Sequence, residues 1–73
     1  MNDISYDFRE GQLVRMYHGR PETAWYIYDA TDDILRDAIA WNDPNGDFDN
    51  LSRVHLLEIF LSDFIVSREL EAV

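Results

Sequence analysis

The spacing of the apolar residues changes once along this chain. Ile4, Tyr6 and Phe8 alternate with polar neighbours, and two short runs rich in β-branched and aromatic residues follow, up to residue 29. Beyond it the apolar residues recur every three or four positions. A period of two reads as β-strand and a period near 3.6 as helix. The switch therefore predicts an α+β chain with strands first and helices after.

"QLVRMYH" (12–18) and "TAWYIYD" (23–29) are rich in β-branched and aromatic residues. "GRPE" lies between them, with Pro21 suited to the first central position of a turn. A β-hairpin with a four-residue connection is predicted. Its period places Val14, Met16, Trp25 and Ile27 on one face, the better core face. Leu13, Arg15, Tyr17, Ala24, Tyr26 and Tyr28 fall on the other. Residues 1–11 read as a tail or a short first strand, because Ile4, Tyr6 and Phe8 alternate with polar neighbours.

"ATDDILRDAIAWND" (30–43) predicts a helix. Thr31 is the expected N-cap, and Asp32 and Asp33 sit where the helix dipole favours negative charge. Ile34, Leu35, Ala38, Ile39 and Trp41 form its apolar stripe. Pro44 prevents continuation. A longer helix is predicted over 49–72, capped by Asp49 or Asn50. Steps of 100° gather Val54, Leu56, Leu57, Phe60, Leu61, Phe64 and Ile65 on one broad face. Ile59, Val66 and Leu70 form a narrower strip, either covered by a third element or free for a partner. The expected architecture is a small single domain over 12–73. In it a β-hairpin, with or without the third N-terminal strand, packs on two helices, the C-terminal one longer.

"WNDPNGDFDN" (41–50) raises the question of a calcium loop. Such a loop needs oxygen ligands at positions 1, 3, 5 and 9, Gly at 6 and Glu at 12. Starting at Asp43 puts Phe48 at position 6 and Val54 at 12. Aligning Gly46 instead puts Trp41 at position 1 and Ser52 at 12. Both registers lose essential groups. A helix stop, a turn with Asn45-Gly46 at positive φ, and a cap explain the stretch better.

No chemical centre emerges elsewhere. The chain has no Cys, which removes disulfides, thiolate metal sites and a Cys nucleophile, and fits a reducing, cytoplasmic setting. His18 and His55 lie on different elements. The hydroxyls sit in no nucleophile elbow, and three glycines make no phosphate cradle. A non-enzymatic protein without cofactor or metal is expected. No run is long and apolar enough for a membrane span.

Charge is the strongest global signal. Fifteen acidic residues face six arginines, for a net charge of −9. Direct contact with nucleic acid is disfavoured, since that needs cations to neutralise phosphates. A basic protein surface is the natural partner, with long-range attraction raising the on-rate. Tyr and Arg are enriched at interface hot spots. The expected contact residues are therefore Tyr6, Phe8, Arg15, Tyr17, Tyr26 and Tyr28, steered by Asp32, Asp33 and Asp37. A monomer is expected.

In length, acidity, lack of Cys and hairpin-plus-helices pattern, the chain resembles small phage-encoded regulators of host RNA polymerase that bind near the N-terminus of the β′ subunit. The resemblance implies a protein of the host cytoplasm that inhibits promoter initiation, promotes antitermination, or both. It carries over no individual functional residue. The alternative is an acidic nucleic-acid mimic that blocks a DNA-binding host defence protein. Against it, Arg53 and Arg68 interrupt the acidic pattern of the longest helix.

Overall fold

The computed structural model describes residues 3–67. The chain divides into two compact units, Met1–Ala30 and Thr31–Val73. The first holds a three-stranded antiparallel sheet of order β1-β2-β3, and the second holds two helices. The α+β class follows directly.

β1 (Ile4–Arg9), β2 (Gln12–Tyr17) and β3 (Arg20–Tyr26) form a meander. The N-terminal alternation thus does make a strand. Both connections are two residues long. Glu10 (φ 53°) and Gly11 (φ 80°) turn β1 into β2, and His18 (φ 51°) and Gly19 (φ 78°) turn β2 into β3. Two successive positive φ values define a type I′ turn, whose twist matches that of the flanking strands. The predicted four-residue connection is therefore corrected: His18-Gly19 makes the turn. Pro21 lies inside β3, which tolerates it as an edge strand.

The predicted sheet faces are corrected as well. Next to the turn, Tyr17 pairs with Arg20 and Met16 with Pro21. The register then shifts, and Arg15 pairs with Thr23, Val14 with Ala24 and Leu13 with Trp25. Glu22 is the extra residue, a β-bulge. Without it Arg15 would face Glu22, and Trp25 would join Val14 and Met16 as predicted. With it, every residue beyond Glu22 changes side. Trp25 shares a face with Leu13, Arg15, Tyr6 and Phe8, while Ala24 and Tyr26 share the other with Val14 and Met16. Leu13 and Tyr6 on one face and Val14 and Met16 on the other are all buried. After β3, Asp29 N–H (2.9 Å) and Ala30 N–H (3.2 Å) donate to Tyr26 O, closing a turn in which Ile27 is buried.

In the second unit, α1 (Asp32–Asn42) begins as predicted, with Ile34 N–H donating to the Thr31 hydroxyl at 3.3 Å. It buries Leu35, Ala38 and Ile39, and Ile34 and Trp41 are half-buried. It ends before Pro44 as Asp43 N–H donates to Ile39 O. The segment 44–52 is a loop. Neither Asn45 nor Gly46 has positive φ, which corrects the turn chemistry expected there. Gly46 instead accommodates the Phe48 ring, which lies so close that a Cβ would meet it. Arg36 braces the loop from α1, donating through Nε to Phe48 O at 3.0 Å.

The second helix starts at Arg53, behind Ser52, and not at Asp49 or Asn50. Asp49 N–H donates to the Asp47 carboxylate, a local turn that delays the helix. α2 (Arg53–Ile59) passes into a π turn (Phe60–Phe64), and the helix continues through residue 67, for 15 described residues against 11 in α1. In the π turn Ile65 N–H donates to Phe60 O, five residues back. The Ser62 hydroxyl donates to Glu58 O at 2.8 Å, competing for the acceptor that the regular helix would use. The wider turn rotates less per residue. Leu56, Phe60 and Phe64, spaced by four, consequently stay in line and are all fully buried. The Phe60 and Phe64 rings stack at 4.7 Å, and Trp41 of α1 lies 6.5 Å from Phe64. Val54 and Leu61, predicted for this core face, are exposed. Ile59 of the narrower strip is half-buried and Val66 exposed, while Leu70 and Arg68 lie outside the described residues.

Candidate protein-binding surface

Within the sheet, Arg15 is the organising cation. It pairs across β1 with Tyr6 and across β3 with Thr23, next to the bulge. Its Nη2 donates to Glu22 Oε1 at 3.0 Å, so the bulged residue supplies the carboxylate. The guanidinium carbon lies 5.2 Å from the centre of the Trp25 ring, within cation–π range. The Glu22 bond, partly opposed by burial and aided by Tyr6, pushes the Arg15 pKa above the ordinary arginine range. A raised pKa on a cation stabilises the fold at every pH below that range, so Arg15 stays charged under all working conditions. Its Nε is buried without an acceptor among the described residues. Arg15 is thus occupied within the sheet, and its half-buried head has little reach for a partner.

The predicted contact residues separate into three groups. Tyr6 is buried and Phe8 half-buried, on the face of Leu13 and Arg15. Tyr17, Tyr26 and Tyr28 are exposed. They form no single cluster, however, because the bulge places Tyr26 on the opposite face from Tyr17 and Arg15. Tyr17 lies edge-on to His18, ring centres 4.2 Å apart. Tyr26 and Tyr28 stand 63% and 77% exposed around the end of β3, beside the exposed Asp29.

The third group is acidic. Asp32 is held by Arg53 at 2.8 Å and Asp33 by Arg36 at 3.0 Å, so both serve the helical unit. Asp37 is exposed and forms no ion pair among the described residues. The second unit carries most of the charge. Over 31–67, Asp32, Asp33, Asp37, Asp43, Asp47, Asp49, Glu58 and Asp63 face only Arg36 and Arg53.

Sequence reasoning missed three things here: the Glu22–Arg15–Trp25 arrangement, and the exposure of Val54 and of Leu61. The first depends on one bulged residue that has no compositional mark. Among the described residues, no three His, Asp or Glu side chains are grouped to hold a metal ion. Among them, too, no helix is long and apolar enough to cross a membrane. The molecule is thus a small, strongly acidic α+β chain whose exposed aromatic groups sit on its sheet unit. No protein family matches it, and no curated protein or solved structure does.

Proposed function

We propose that this chain is a non-enzymatic regulatory protein that docks on a basic surface of a larger protein machine. The observation that carries this reading is the exposure of Tyr26 and Tyr28 beside Asp29 on a chain of net charge −9. Tyrosine brings a large apolar body with a polar tip and loses little side-chain entropy on docking, which makes it a frequent interface anchor. The surrounding negative field steers encounter and rejects other acidic surfaces. Bacterial RNA polymerase is the partner to which the resemblance points. Inhibition of promoter initiation, antitermination, or both would be the effect, acting by steric or conformational means.

Purified bacterial RNA polymerase, presented to the immobilised full chain, tests this. Saturable binding, with reduced promoter-dependent transcription or increased terminator read-through, supports the proposal. Binding equally strong for Tyr26→Ala/Tyr28→Ala would remove the tyrosines from it. No binding to polymerase, with capture of a DNA-binding protein competed away by duplex DNA, would favour the mimic.

A further inference from the structure

The second helix carries another surface, separate from the tyrosines. Its buried line is Leu56, Phe60 and Phe64. Away from that line Val54 is 63% exposed, Leu61 48% and Val66 45%. In a regular helix Val54 and Leu61, seven residues apart, share a face, and residue 65 would come next. The π turn takes in one additional residue. Val66 thereby falls where a regular helix would put residue 65, and Ile65 turns toward the half-buried flank. The result is a strip running Val54, Leu61, Val66, about 18 Å long at 1.5 Å per residue. Glu58 and Ser62, both exposed, lie within it, and exposed Asp63 lies farther round the helix. Neither carboxylate forms an ion pair among the described residues.

We infer that this strip is a second docking surface, and that its occupant is a basic amphipathic helix of a partner protein. Three apolar positions spread over about three turns suit a helix presenting anchors at i, i+4, i+7 and i+11. The charge selects the occupant. Glu58 within the apolar strip and Asp63 to one side of it, neither in an ion pair among the described residues, favour Lys or Arg flanking the partner's apolar stripe. A second copy of this chain would bring the same carboxylates and another net charge of −9 to the contact, so self-association is opposed. The inference does not rest on the tyrosine surface.

The test uses the full chain and a synthetic amphipathic helix of leucine and lysine, followed by amide chemical shifts. An otherwise identical peptide with glutamate for lysine is the control. Shifts centred on Val54, Glu58, Leu61, Ser62 and Val66 are expected with the basic peptide and none with the acidic one. Leu61→Ser removes apolar contact without changing charge and should weaken binding roughly tenfold. Glu58→Gln should weaken it and reduce its salt dependence, while Tyr26→Ala should leave it unchanged. Shifts scattered over all acidic positions, or equal affinity for Leu61→Ser, would show charge attraction alone and overturn the inference. Concentration-dependent dimerisation lost in Leu61→Ser would replace the basic helix with a second copy.

Discussion

Replacing Phe60 with Ala probes the helical unit at its centre. Phe60 is fully buried and stacks at 4.7 Å on Phe64, itself fully buried and near Trp41. Truncation removes the ring's transfer free energy, leaves a cavity and ends the stack. Phe→Ala changes in closely packed interiors cost about 3–5 kcal/mol. A chain of 73 residues has a total stability of about 4–11 kcal/mol. Phe60→Ala should therefore consume about a quarter or more of the stability and leave a low-end protein largely unfolded. Urea denaturation followed by circular dichroism and tryptophan fluorescence measures the loss. Phe60→Leu, which keeps much of the apolar volume, should remain folded with a smaller shift. A loss below about 1 kcal/mol for Phe60→Ala would show that the aromatic stack is not the centre of this unit.

Three further substitutions probe local geometry. Gly46→Ala places a methyl group against the Phe48 ring at a position with ordinary backbone φ, so its effect is steric. It should displace the ring, visible in aromatic proton shifts, at a cost of roughly 1 kcal/mol. Gly19→Ala puts a Cβ on a residue at φ 78° and should cost about 1–2 kcal/mol of unfolding free energy in urea denaturation, although the added methyl meets no atom. Thr31→Ala removes the side chain that caps α1 and should cost about 1 kcal/mol, with faster amide exchange at Ile34.

The elements that the sequence revealed are those decided by neighbours in the chain. Thr31 caps α1 three residues ahead, and Pro44 limits it from two residues beyond its end. The alternation of Ile4, Tyr6 and Phe8 does mark a strand. The His18-Gly19 turn was not legible: Gly19 supplies one of its positive φ values, but His18 is no usual partner for it and Pro21 points to a turn two residues later.

Two of the misplaced faces came from single-residue insertions. Glu22 inserts one residue into β3 and moves Trp25 and Tyr26 to opposite faces from those expected. The π turn inserts one residue into the second helix and sets Val66 in line with Val54 and Leu61. A strand and a helix thus failed for the same physical reason. Periodicity names the element, but one extra residue changes the phase of everything that follows. The candidate surface inherits that division. Tyr17, Tyr26 and Tyr28 are exposed, whereas their expected grouping around Arg15 depended on a phase that the bulge alters.

Under the proposed function, a partner is held by exposed tyrosines within a negative field. The most direct measurement is a titration of purified RNA polymerase with the full chain between about 0.05 and 0.3 M salt, where screening of exposed charges increases. It is repeated with Tyr26→Ala/Tyr28→Ala. The account predicts binding that weakens as salt rises and is lost at least tenfold in the double variant, whose circular dichroism stays native. Absence of binding, or binding insensitive to both salt and the tyrosines, would contradict it.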